Sequence, residues 1–189
     1  MTARDALAPL ALLLTLAARP ALADDLIRLE RPNALRLGGR VQTGGILGGP
    51  LWDAAVDLIY SRQLSALFAV EASGGGGSGG SRHGDNLGTG LRLTLGSHGP
   101  HAFTVAAGGR VAFLHQYGPV AFGNAEAAWE LRTGGGFDLL VGGGLGVTLS
   151  TSRSADQHCE DRGWLGCPRS RFHAGEAGLW VRAEAGFAF

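Results

Sequence analysis

From Ala34 onward, apolar and polar residues alternate one by one through eight successive stretches of the chain. A period of two puts one set of side chains on each face of a β-strand. In the first stretch Leu35, Leu37, Gly39, Val41 and Thr43 share a face, with Arg36, Gly38, Arg40 and Gln42 on the other, up to Gly48-Gly49-Pro50. The second, 52–60, sets Trp52, Ala54, Val56, Leu58 and Tyr60 against Asp53 and Asp57. The third, 64–73, sets Ala66, Phe68, Val70 and Ala72 against Glu71; the fourth, 87–96, sets alternate residues from Leu87 to Leu95 against Arg92 and Thr94. Phe103, Val105, Ala107, Val111 and Phe113 face away from Thr104 and Arg110 in the fifth, 101–115. In the sixth, 124–132, Ala125, Ala127, Trp129 and Leu131 oppose Glu126, Glu130 and Arg132. In the seventh, 137–150, Phe137, Leu139, Val141, Leu145, Val147 and Leu149 oppose Asp138, Thr148 and Ser150. The eighth, within FHAGEAGLWVRAEAGFAF, runs apolar from Ala177 to Phe189 at every second place. Its other face carries Glu176, Arg182 and Glu184 with small residues and Trp180.

Between these stretches lie three short polar turns, 61–63, 97–100 and 133–136. On the opposite side three of the four connections are expected to be longer, 74–86, 117–123 and 151–171, the first of them flexible by its Gly and Ser content. Short turns on one side and longer loops on the other is the sidedness of a transmembrane barrel. The expected fold class is therefore all-β: an eight-stranded antiparallel up-and-down transmembrane β-barrel over 34–189. A soluble barrel would carry the same alternation with inside and outside exchanged. Aromatics near strand ends and an aromatic last residue weigh against it.

The segment before the barrel divides in two. Arg4, the apolar run Ala6–Ala18 and the small residues Ala21-Leu22-Ala23 read as a signal peptide cleaved after Ala23, because the run is shorter than the roughly 20 residues of a spanning helix. Residues 24–33 read as a polar periplasmic lead-in closed by Pro32. All 33 glycines lie beyond the leader, threaded among Val, Leu, Phe and Trp, which favours ordered strands over disorder. Without Arg4, Arg19 and Asp5, the 16 cations and 16 acids of the chain fall to 14 Arg against 15 acids, with no Lys. That balance gives no reason to expect nucleic acid as a partner.

The leader, the eight alternating stretches and the terminal Phe resemble the small outer-membrane β-barrels of Gram-negative bacteria, the OmpA-, OmpX- and opacity-type domains. The resemblance covers 34–189 on generic motifs. It implies residence in the outer membrane as a monomer, contact with outer-membrane lipid, and assembly by the barrel-assembly machinery. That machinery recognises a terminal aromatic strand, which makes Phe189 the assembly signal. It also implies a filled interior.

The polar faces together form a lumen of mixed sign: Arg36, Arg40, Arg92, Arg110, Arg132 and Arg182 against Asp53, Asp57, Glu71, Glu126, Glu130, Asp138, Glu176 and Glu184. Eight strands enclose an interior just wide enough for side chains to fill. Interdigitated signs suit a plug of ion pairs, whereas a lining of one sign would suit an ion path. Cys159 and Cys167 are expected to form a local disulfide in an oxidising compartment, worth about 2.5 kcal/mol. Their spacing with His158 matches no standard zinc pattern. His115, Tyr117 and Ser150 or Ser152 are the nearest approach to an acyl-transfer set, and nothing in the sequence fixes them together. The Gly run 74–80 lacks the Lys-Ser/Thr of a phosphate loop. No enzyme, metal or cofactor is expected. The expected role is structural or surface interaction, with loops 74–86 and 151–171 as the ligand-facing surface; a narrow low-conductance pore is the alternative, and a lipid-active enzyme the third.

Overall fold

The computed structural model describes residues 26–44, 51–79, 82–114, 118–151 and 177–189. The leader, Glu176, and both cysteines with their surrounding loop lie outside these residues. Eight strands form one closed barrel in sequence order: β1 (Asn33–Gly44), β2 (Leu51–Gln63), β3 (Phe68–Gly79), β4 (Arg82–His98), β5 (His101–Leu114), β6 (Gly118–Arg132), β7 (Phe137–Thr151) and β8 (Ala177–Ala188). Each pairs antiparallel with its neighbours, and β1 meets β8 from Ala34↔Ala188 to Gln42↔Trp180 to close the ring. Closure leaves no sheet edge unpaired. Phe189 lies just past β8 and continues the seam, its N–H donating to the Asn33 carbonyl (2.8 Å) and its own carbonyl accepting from Asn33 (3.1 Å).

The faces fall as the alternation predicts. Arg36, Asp57, Arg92, Thr104, Glu126, Glu130, Arg132, Asp138, Thr148 and Glu184 are buried in the interior. Leu37, Val56, Leu87, Leu91, Leu145 and Val181 are 47% exposed or more on the outer wall. The polar face is the inner one, the reverse of a soluble barrel with an apolar core.

Three connections differ from the sequence reading. The Gly-rich segment is not a loop: Gly74–Gly79 belong to β3 and Arg82–Asn86 to β4, paired as Gly79↔Arg82 through Gly75↔Asn86. Residues 118–123, also expected as loop, form the first part of β6 against β5 and β7. The turn expected at 61–63 lies at 64–67 instead. There the Ser65 hydroxyl accepts from the Leu67 and Phe68 amides (3.3 and 3.2 Å), while Ser61–Gln63 complete β2. The cause is shared. Ladder hydrogen bonds from two neighbours fix a segment whose composition alone reads as flexible. Register shifts at Thr94/Gly96 in the β4–β5 ladder and at Ala121/Phe122 in the β6–β7 ladder mark bulges, which bend a strand locally.

The lead-in is also more ordered than its polarity suggests. Residues Leu26–Glu30 form a short helix, α1, at the end of the barrel that holds the short turns. At this same end sit the outward aromatics Tyr60, Phe68, Phe103, Trp129, Phe137, Phe187 and Phe189, all exposed. Phe103 faces Trp129, and Phe137 faces Phe187, across the ladder. Trp129 in addition stacks on His101 with ring centroids 5.5 Å apart.

Candidate functional site in the barrel lumen

The ladder register explains how so narrow a barrel holds so many long side chains. Inward charged residues face inward glycines on the adjacent strand: Arg36 faces Gly186, Glu184 faces Gly38, Glu71 faces Gly90, Glu126 faces Gly144, Arg182 faces Gly142 and Arg110 faces Gly88. Large opposite small is the packing solution of small barrels. A Cβ at Gly186 would run into the Leu35 carbonyl and Arg36 Cα, and one at Gly144 into the Ala125 carbonyl. These glycines are required by space.

The charges so admitted form one connected chain. Near the turn-side end, Arg132 Nη2 lies 3.0 Å from Glu130 and 3.1 Å from Asp138. Asp138 also meets Arg36 Nη1 at 3.3 Å. Arg36, 1% exposed, reaches Glu71 Oε1 at 2.6 Å and Glu184 Oε2 at 3.0 Å. Glu71 is the hub: Arg92 grips both its oxygens, Nε to Oε1 and Nη2 to Oε2 at 2.9 Å each, and Arg182 stands 3.5 Å away. Arg92 and Arg182 then share Glu126 Oε1 at 2.9 and 2.8 Å, and Arg182 closes on Glu184 at 2.6 Å. The Arg fork suits this sharing, because it presents five donors in fixed directions to several carboxylates at once.

Towards the loop-side end the chain thins. Arg40 pairs with Asp57 (2.9 Å), which also accepts from Asn86 (3.0 Å). Arg110 donates to the Gln42 side-chain oxygen (2.9 Å) and lies over the Phe122 ring at 5.3 Å. Arg182 likewise lies over Trp180 at 5.5 Å. A cavity of about 60 Å³ remains here, lined by Gln42, Arg110, Phe122, Asn124 and Trp180 among others, enough for a few waters at about 10–15 Å³ each.

Twelve of the fourteen lumen residues expected from the sequence are thus inside the barrel with described side chains. Asp53 sits in β2 opposite Gln42, its side chain outside the described atoms, and Glu176 lies outside altogether. So do Cys159 and Cys167 and the His115–Tyr117 pair. Sequence reasoning missed Arg28. It projects from α1 with no exposed surface, 3.7 Å from Glu130 Oε2. A five-residue helix carries too little periodicity to announce which way its one Arg points.

Chemically the described lumen offers paired charges, with Thr104 set between Arg92 and the Ala128 carbonyl. No group of three or more His, Cys, Asp or Glu that could hold a metal ion occurs among the described residues. No helix among them is long and apolar enough to cross a membrane. No protein-family model matches the chain, and no curated protein matches it.

Proposed function

We propose that the chain is an outer-membrane β-barrel of a Gram-negative bacterium with a structural or surface-interaction role, its lumen plugged by Arg–carboxylate pairs. In this reading residues 1–23 are the cleaved signal peptide and the barrel is a monomer in lipid. One observation carries it: a closed wall whose exterior is a predominantly apolar belt and whose interior is charged. Exposed apolar patches on soluble monomers rarely exceed a few hundred Å², whereas this belt includes Leu37, Leu58, Leu91, Leu145 and Val181 from five different strands. The ring of Tyr, Trp and Phe at the turn-side end fits the headgroup girdle of such barrels.

The protein should therefore be found in the outer-membrane fraction and migrate faster on gels before boiling than after. Recovery in the soluble periplasm with no mobility shift would end the proposal. The cavity beside Arg110 favours the second reading, a narrow pore. Planar-bilayer recording separates the two: the plugged barrel passes no steady current, and regular single-channel steps would favour the pore.

The resemblance to small outer-membrane barrels also makes Phe189 an assembly signal. The residue is 60% exposed and its backbone completes the β1–β8 seam. Burying a Phe is worth about 1.5–3 kcal/mol, so replacement by Asp should cost little once the barrel is made. Phe189→Asp is expected to reduce insertion in cells severely while refolding into detergent stays near that of the unaltered protein. Equal, mild losses in both would reduce Phe189 to a lipid contact.

A further inference from the structure

The turn-side mouth is covered by the chain's own N-terminal segment. α1 and Arg31–Pro32 lead into β1, yet Arg28 Nη2 donates to the Pro100 carbonyl (3.4 Å), in the turn between β4 and β5. In a ring of eight, β5 lies diametrically opposite β1, so this contact spans the opening. Further contacts hold the segment around the rim. Pro32 accepts from the Gln63 amide at the end of β2 (2.6 Å), the Arg31 carbonyl accepts from Arg132 Nη1 on β6 (3.1 Å), and Arg31 Nη1 donates to the Ala188 carbonyl on β8 (3.4 Å).

The central contact is less complete than those above it. Arg28 is fully buried, but its Nε and Nη1 have no hydrogen-bond partner among the described residues, and its carboxylate stands at 3.7 Å. Arg36, by contrast, meets three carboxylates at 3.3 Å or less. Burying a guanidinium with donors unpaired is costly, so the seat of Arg28 is shallow in free energy while the network beneath it is deep.

We infer that Leu26–Pro32 is a stopper in cis, latched by Arg28 and releasable, which closes the turn-side mouth in series with the ion-paired plug. The inference rests on the plugged-lumen reading for its second closure only. The latch is tested by amide exchange on the full chain in detergent micelles, comparing the unaltered protein with Arg28→Ala, Arg28→Glu and Arg28→Lys. The reporters are the Arg31 amide, which donates to Ile27 (3.2 Å), and the Gln63 amide. The Thr94 amide, bonded to Leu67 at another turn of the same end (2.8 Å), is the control. Arg28→Ala and Arg28→Glu should speed exchange at both reporters by about tenfold or more and leave Thr94 unchanged, with Arg28→Lys close to the unaltered protein. Unchanged reporters, or an equal rise at Thr94, would overturn the latch, as would a Lys variant as fast as Glu. In planar bilayers Arg28→Glu should remain closed because the plug behind it is intact. Steady current from that variant alone would overturn closure in series. Current from the unaltered protein would instead overturn the plugged-lumen reading, and the exchange result would stand apart from it.

Discussion

Gly186→Val is expected to leave the chain unable to close its barrel, whereas Gly39→Val should fold like the unaltered protein. Both positions lie in the pair of strands that completes the ring. An added Cβ at Gly186 meets the Leu35 carbonyl and lies 2.7 Å from Arg36 Cα; one at Gly39 meets nothing within 4 Å. Backbone atoms held in a ladder cannot yield as a flexible side chain does. Overpacking costs typically about 1–3 kcal/mol when side chains can adjust, and here the obstacle is the ladder itself. In the proposed membrane setting the loss extends beyond packing, since an unclosed ring leaves N–H and C=O groups of β1 and β8 unpaired, each costing several kcal/mol in hydrocarbon. Gel mobility before and after boiling, measured on both variants refolded in parallel, checks it. A folded, heat-shifted Gly186→Val band would mean that β1 and β8 can separate enough to admit a side chain.

Glu71→Ala is expected to lower unfolding free energy by about 3–5 kcal/mol, the usual cost of stripping one partner from a buried ion pair. The size follows from what is left behind. Arg36, Arg92 and Arg182 all lie within 3.5 Å of this carboxylate, so its removal takes one partner from three buried guanidiniums at once and leaves them to share Glu126, Asp138 and Glu184. Replacing the pair by Glu71→Leu with Arg92→Leu removes a charge of each sign, and Glu126 keeps Arg182 at 2.8 Å. The double variant should therefore lose less than the two single changes added together, by about 1 kcal/mol or more. Urea unfolding followed by the fluorescence of Trp180, buried beside Arg182, reads all four corners of the cycle. Additive losses would mean that the charges are screened by water and do not form a connected plug.

The alternation carried the phase of every described strand, because a two-residue period depends only on which face a side chain takes. It carried the composition of the lumen for the same reason. Strand ends were less legible. Gly74–Gly77 look like a linker in isolation, yet each is paired on both sides, to Leu58–Ala55 and to Leu87–Gly84. Two of the four answer to crowding from the neighbouring strand: a Cβ on Gly77 would stand 2.7 Å from the Ala54 carbonyl, and one on Gly75 would run into the Val56 carbonyl. No local signal separates a glycine needed for freedom from one needed for space. Residues 118–123 illustrate the point again, with Val120 and Phe122 buried inside the barrel although Pro119 and two glycines suggested a loop. The helix α1 was invisible because its stability is tertiary, drawn from Pro100, Glu130 and Arg132.

The length of four neighbouring strands has a consequence for what the barrel presents to its surroundings. β4 through β7 contain 17, 14, 15 and 15 residues. A tilted strand crosses hydrocarbon in about 9–11 residues. In the proposed setting each of these four strands is longer than the crossing requires. Together they are a hydrogen-bonded palisade, each laddered to the next from Gly84↔Leu114 to Arg132↔Asp138. A partner approaching from this side would meet a preformed curved sheet, with little ordering entropy to be lost on contact.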